Sequence, residues 1–302
     1  MRWPWKSFRR IATAAVLTLL AGCSPFAILN ATAPQNHYAV KRDIAYGELE
    51  RQRLDVYTPR SQSGQAPVVV FLYGGSWESG ERGEYAFIAE ALTSLGFVAV
   101  IPDYRVYPEV KFPTFLEDCA RAVKWAKDHI GEHGGDAKLI YVMGHSAGAY
   151  NAAMLAFDKQ YLEAVGMSPK MLRGFIGLAG PYDFLPLKKP ALIDIFGGKD
   201  NIPHTQPINF VTRDAPPALL LVGNTDTTVK PGNTTRLAAR IREKSGEVRE
   251  VVYDGIGHFR ILGALSAPFR GWAPVLRDVA QFINSTSVQP VTGKPAAASQ
   301  VN

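Results

Sequence analysis

The segment Gly144-His145-Ser146-Ala147-Gly148 joins the apolar run Leu139–Met143 to a helical stretch, Ala147–Phe157. A short continuous apolar run of this kind reads as a strand buried on both faces of a sheet. The chain must therefore turn from strand to helix at one sharp bend. Side chains at 144 and 148 would strike neighbouring backbone there, which accounts for glycine at both positions. Ser146 is left alone at the apex and at a helix N-terminus, where the dipole favours developing negative charge.

The rest of the chain repeats the alternation of strand and helix. Val40–Tyr46 and Arg53–Tyr57 read as an antiparallel opening pair, and Val68–Tyr73 as a second buried strand. Helix is expected over Tyr85–Leu95, strand over Phe97–Ile101 and helix over Thr114–Ile130. In the last, Leu116, Ala120, Val123 and Ile130 recur at helical spacing behind Pro113. Strands at Gly174–Ala179, Ala218–Val222 and Val248–Tyr253 and helices at Thr234–Lys244 and Ala273–Ile283 complete the series. The order implies an α/β fold, a mostly parallel twisted sheet with helices on both faces. Residues 182–214, rich in Pro, Gly and Lys around the apolar stretch Ala191–Phe196, break the rhythm. They read as a small cap-like insertion over the strand C-terminal ends. One domain over residues 39–285 is the economical division.

Arg2, Lys6, Arg9 and Arg10 precede the apolar stretch Ile11–Ala21, which at roughly ten residues falls short of the ~20 that span a bilayer. Residues 1–22 read as a signal peptide. Leu20-Ala21-Gly22-Cys23 resembles the lipobox of bacterial lipoproteins, with Cys23 as the lipidation site. Ser24 resembles the outer-membrane sorting pattern. The protein is expected to be exported and lipid-anchored at the cell envelope, with residues 23–38 as a tether and 286–302 as a disordered tail. Removal of residues 1–22 takes four basic and no acidic residues, so the net charge falls from +6 to +2. Basicity is thus mostly targeting, and nucleic-acid binding has no support. Only Cys119 remains besides Cys23, which excludes a cysteine-based metal site. Its spacing with Leu116, Val123 and Ala126 places it in the core.

A serine hydroxyl at such a bend becomes a nucleophile only with a base, and the base needs an acid to hold its tautomer. His258 follows the last strand in Tyr253-Asp254-Gly255-Ile256-Gly257-His258, where glycines let the loop reach the bend. His37 falls in the tether, His129 and His133 at a helix end, and His204 in the insertion. His145 takes the variable second position of the bend, usually turned away from substrate. A surface or pocket role is expected for each of these. Asp226, in the loop after Ala218–Val222, is the preferred acid; Asp254 reads as a turn cap, and Asp200 and Asp214 lie in or beside the insertion. Charge on a tetrahedral intermediate needs backbone donors. Tyr73-Gly74-Gly75-Ser76-Trp77 follows a strand directly, so the N–H groups of Gly74 and Gly75, with Ala147, form the expected oxyanion hole.

This glycine loop, Pro102-Asp103-Tyr104-Arg105 with Pro108-Glu109, the bend, Asp226 and His258 together resemble an esterase branch of the α/β-hydrolase superfamily. That branch is related to hormone-sensitive lipase. The nearest pattern is that of bacterial feruloyl-esterase-like proteins and kynurenine formamidases, where the bend commonly reads Gly-His-Ser-Ala-Gly. The resemblance covers about residues 45–284. It implies an α/β-hydrolase fold with Ser146, Asp226 and His258 as a triad. One departure is Tyr73 where those families usually carry histidine before the glycine pair. Backbone donors survive the change, whereas loop positioning and substrate preference are exposed to it. Asp103, Arg105 and Glu109 resemble residues that brace this loop by ion pairing.

The expected activity is hydrolysis of short-chain or aromatic carboxylic esters, small molecules, through an acyl-serine intermediate. Formamide hydrolysis uses the same machinery and stays open beside it. A peptidase would want an added propeller or large lid, and a silent scaffold normally lacks a triad member. No metal, nucleotide or flavin is implied, since the glycine-rich loops lack phosphate-binding spacing. The sequence carries no signal for oligomeric state.

Overall fold

The computed structural model describes residues 25–62, 64–200 and 202–288. The expected leader, Cys23 and the tail beyond Val288 lie outside the described residues. Among these, eight strands form one sheet in the order β1-β2-β4-β3-β5-β6-β7-β8. They are β1 Tyr38–Ala45, β2 Arg53–Pro59, β3 Ala66–Leu72, β4 Val98–Pro102, β5 Gly135–His145, β6 Leu172–Leu178, β7 Ala218–Gly223 and β8 Val248–Tyr253. β2 runs antiparallel to both β1 and β4; the remaining neighbours are parallel. β1 is an exposed edge whose Lys41, Arg42 and Asp43 discourage pairing with another chain.

β3 and β4 are wholly buried from Val68 to Leu72 and from Val98 to Ile101, so helices must cover both of their faces. The chain leaves β3 toward one edge through α2 (Ala86–Ser94) to β4. It then crosses back through α3 (Thr114–His129) to β5 on the other side of β3. Right-handed crossovers in opposite directions put α2 and α3 on opposite faces. α3 buries Phe115, Leu116, Cys119, Ala120, Val123 and Ala126 as one stripe. α4 (Ala147–Phe157) is buried along its whole length against β5 and β6, α7 (Gly232–Glu243) lies against β7 and β8, and α9 (Val275–Val288) against β6 and β7. Strand order reverses direction between β3 and β5, and the crevice at their carboxyl ends is where an open α/β sheet offers a site.

Several elements differ from the sequence reading. Residues 25–38 are no loose tether: α1 (Pro25–Ala31) packs on the domain, with the Phe26 ring 5.0 Å from Tyr85, and Tyr38 already belongs to β1. The last helix runs past Ile283 to Val288, and Thr286, expected in the tail, is buried with its hydroxyl 2.8 Å from Tyr141 Oη. Two short helices were not legible, α5 (Lys159–Glu163) and α8 (His258–Gly263). The insertion contains helix α6 (Pro190–Phe196), stopped by Gly197 in the left-handed region. Among the described residues no helix is long and apolar enough to cross a membrane.

Candidate active site

β5 ends at His145, and Ser146 turns the chain into α4 with φ 55° and ψ −123°, outside the ordinary regions for an L residue. The bend is as tight as the glycines suggest. A Cβ on Gly144 would sit 2.3 Å from backbone of Gly148, and one on Gly148 would sit 2.0 Å from the Leu72 carbonyl oxygen. The bend is held by Ser146 N–H donating to the Leu178 carbonyl at 3.0 Å. Its Oγ lies 2.9 Å from His258 Nε2.

His258 Nδ1 lies 2.7 Å from Asp226 Oδ2, completing a continuous chain from hydroxyl to carboxylate. The loops after β7 and β8 deliver these two groups by bonding to each other. Thr225 N–H donates to the Ile256 carbonyl at 3.1 Å, and Asn224 spans the turn at Asp254 and Gly255, donating to Asp254 Oδ1 at 2.7 Å and accepting from Gly255 N–H at 2.9 Å. Asp254 is thus part of that turn. Burial alone would raise the Asp226 carboxyl. The hydrogen bond and charge of His258, with the amides of Val229 and Thr228 at 2.9 Å on Oδ1, more than offset it and hold the group below the usual range. Asp226 therefore stays ionised and fixes the imidazole with its free nitrogen toward Ser146.

β3 pairs with β5 in a register that sets Leu72 opposite Gly144, so the Gly74–Gly75 turn lies beside Ser146. A Cβ on Gly74 would be 3.1 Å from Ser146 Cβ, and Gly75 has φ 121°. Ser76 and Trp77 continue at φ 56° and 61°. The turn closes on the Gly75 carbonyl, which accepts from Glu78 N–H at 3.0 Å. Among the described residues the amides of Gly74, Gly75 and Ala147 have no backbone acceptor, leaving three donors beside the hydroxyl.

His145 is not at the surface. It is buried behind the bend, its Nε2 3.0 Å from the His258 carbonyl oxygen and its ring centroid 4.7 Å from that of His258. Burial, with the nearby His258 charge, pushes its pKa down to about 3.

The BD-FAE family model matches residues 54–241. The chain belongs to the BD-FAE family. A probable isoprenylcysteine alpha-carbonyl methylesterase of Arabidopsis thaliana is 26% identical over 277 residues, 83% of this chain and 58% of the relative. Esterase LipC of Mycobacterium tuberculosis is 30% identical over 268 residues, covering 82% and 65%. Kynurenine formamidase of Danio rerio is 35% identical over 147 residues, 48% of this chain and 47% of the relative. The chain thus spans about three fifths of the length of the first two. The fold is the α/β-hydrolase fold: a truncated carbohydrate esterase from gut microbiota superposes with a TM-score of 0.74 at 18% identity, over 85% of this chain and 100% of that one.

In this BD-FAE chain Tyr73 turns out to be a brace. Its ring is buried, stacked between Tyr104 at 4.6 Å and Tyr85 at 5.3 Å. Its hydroxyl donates to Asp103 Oδ1 and accepts from Arg51, both at 3.0 Å. Burial and the Asp103 charge push the phenol far up, so it keeps its proton. Asp103 also takes the guanidinium of Arg82, which reaches Asp55 at 3.0 Å and Asp43 at 2.7 Å. Two expectations need correction. Arg105 pairs with buried Asp118 of α3 at 2.8 Å instead of with the glycine loop, because Asp118 faces the segment after β4. Glu109 is exposed at the surface and forms no ion pair among the described residues. Arg51 and Arg82, the cations that do brace the loop, were missed: their partners lie 21 to 53 residues away and leave no local pattern.

The insertion is fastened close by. Tyr150 of α4 donates to the Thr205 carbonyl at 2.7 Å, and Asn233 of α7 accepts from Tyr182 and Asp183 N–H. Phe196 and Phe184 pack on Trp77 at 4.9 and 6.2 Å, so an aromatic wall adjoins the glycine turn. Cys119 is buried in the core, with Asn151 between it and Trp77.

Proposed function

We propose that this chain is a serine carboxylic-ester hydrolase acting on short-chain or aromatic acyl esters through an acyl-serine intermediate. The observation that carries the reading is the unbroken hydrogen-bonded line Ser146–His258–Asp226 beside free amides of Gly74, Gly75 and Ala147. Ser146 Oγ attacks the ester carbonyl carbon while His258 Nε2 takes its proton. The oxygen that gains charge is met by the three amides, and Asp226 stabilises the imidazolium. His258 then protonates the departing alkoxide oxygen. Water, deprotonated by the same nitrogen, releases the acid. Half-buried Phe184, backed by the buried rings of Trp77 and Phe196, and exposed Phe259 beside His258 offer apolar contacts suited to a small or flat acyl group.

Purified enzyme should react with a fluorophosphonate probe and hydrolyse p-nitrophenyl acetate with an acyl-enzyme burst. Both should vanish in Ser146→Ala, at a cost of about 10³-fold or more. A folded wild type that neither labels nor turns over defeats the reading. The stretch shared with the fish formamidase favours a second substrate class, formamides; comparison of kcat/KM on N-formylkynurenine and p-nitrophenyl acetate decides the preference. Envelope anchoring rests on Leu20-Ala21-Gly22-Cys23. Cys23→Ala should lose lipid labelling and leave the membrane fraction, and unchanged partitioning would remove the anchor.

A further inference from the structure

We propose that His145 is a positioning residue for the catalytic base: from the position just before the nucleophile, its Nε2–H holds the backbone carbonyl of His258 and so fixes that imidazole between Ser146 and Asp226. The inference rests on the hydrolase reading above and deepens it.

The His258 loop has reason to need such a lock. It is bordered by Gly255, with φ 65°, and by Gly257, and it enters α8, a helix of six residues, without a side-chain cap. Glycines that let the loop reach the bend also let it depart. The imidazole is held through Nδ1 by Asp226 and through Nε2 by Ser146, the group whose proton it must take, so neither contact fixes the backbone that carries the ring. His145 supplies a fixed point on that backbone, at the His258 carbonyl, 3.0 Å away.

The chemistry of that contact is one-directional. A carbonyl oxygen only accepts, so His145 Nε2 carries the proton and Nδ1 is bare. Nδ1 faces the glycine turn: a Cβ on Gly74 would come within 3.3 Å of it. One buried ring therefore bonds to the residue that carries the base, lies beside the oxyanion turn, and is joined by one peptide bond to the nucleophile. Its position at the end of β5 is fixed by pairing with Leu178 of β6 and by the paired register of β3. The neighbourhood also demands a neutral ring. His258 becomes a cation on taking the serine proton, and a second cation at 4.7 Å would oppose it. Burial keeps His145 uncharged, so the proton from Ser146 has one destination.

A buried histidine that merely fills space predicts something different from one that donates, and two substitutions separate them. His145→Gln keeps an N–H donor near Nε2; His145→Leu keeps apolar volume and removes the donor. Each full-length variant is measured on p-nitrophenyl acetate, with turnover counted per site titrated by the fluorophosphonate. Misfolded molecules then do not enter the rate. The Leu variant should lose about 10²-fold in kcat, as displacement of a catalytic group by about 1 Å does, with KM little changed. The Gln variant should recover most of the loss. Equal kcat per site in both variants, whether near wild type or equally reduced, overturns the role of the donor. A wild type that fails to label or turn over overturns the hydrolase reading and this inference with it, whereas an active wild type with indifferent variants overturns this inference alone.

Discussion

Four non-glycine residues with positive φ gather at the strand ends around the candidate site: Ser76, Trp77, Ser146 and Ala179. Such conformations cost of order 1–3 kcal/mol each and persist only where surrounding contacts enforce them. Enforcement is visible here, with Ser146 N–H on Leu178, Ala179 N–H on Leu221 and Trp77 Nε1 on Asn151. The two glycines nearest the hydroxyl should respond differently to an added methyl. In Gly148→Ala the Cβ meets the Leu72 and Tyr73 carbonyl oxygens at 2.0 and 2.3 Å, rigid backbone that must move, so a loss of about 3 kcal/mol or more is expected. In Gly74→Ala the contacts are at 3.1 Å, and the turn can yield by a few tenths of an ångström. That variant should stay folded and lose kcat through misplaced donors. Denaturation midpoints and turnover per titrated site check the pair; a stable Gly148→Ala would contradict the steric account. The bend was legible in the sequence because its two glycines flank the serine in a five-residue pattern, although the backbone that Gly148 must clear belongs to Leu72 and Tyr73. His145 was not, because its partner is a carbonyl 113 residues away that any residue at 258 would present.

At the scale of elements, α1 is the segment whose sequence misled most. Ala, Asn and Pro over residues 24–38 gave no amphipathic stripe, yet Asn30 acts as a cap borrowed from another helix. α2 begins after Tyr85, whose side chain caps nothing. Asn30 Oδ1 accepts from Phe87 N–H at 3.0 Å, in the first turn of α2, and its Nδ2 donates to the Gly83 carbonyl at 2.8 Å. Asn30→Ala should cost about 1 kcal/mol, the usual worth of a helix cap, read as a lower denaturation midpoint. No change would mean that the Asn30 bonds contribute nothing to the stability of the domain. The aromatic series Phe26, Tyr85, Tyr73 leads from α1 to the residue preceding Gly74, so what looked like a spacer supports the oxyanion turn. The buried strands were legible from their apolar runs, since burial on both faces writes itself into composition. The brace around Asp103 was legible only in part: Asp103 stood in a recognisable motif, while Arg82 reaches Asp103 and Arg51 reaches Tyr73 from separate stretches with no period to betray them.

For the whole molecule, the two depressed groups of the site tie stability to pH in the same direction. His145 titrates near pH 3 when folded and near its ordinary value of about 6.5 when unfolded. Between those limits the unfolded chain binds the extra proton, so stability is complete above about pH 6.5 and is lost as pH falls toward 3. Asp226 is also depressed, so its contribution is present above the ordinary carboxylate range and disappears as pH falls through its folded value. Acid therefore acts on the buried histidine first and on the carboxylate only in stronger acid. One proton corresponds to a slope of about 1.4 kcal/mol per pH unit. Urea denaturation of the wild type should show stability falling between pH 6 and pH 4.5, a window above the carboxylate transition. His145→Gln, which cannot take up that proton in either state, should show a shallower fall by up to that slope, even if it is less stable at neutral pH. His133 is lowered too, by burial and by Lys41, but it is present in both proteins and leaves the difference between them unchanged. Parallel slopes in the two proteins would mean that the ring at 145 accepts a proton in the folded state, and a charged ring there could not share the site with the imidazolium that the reaction requires.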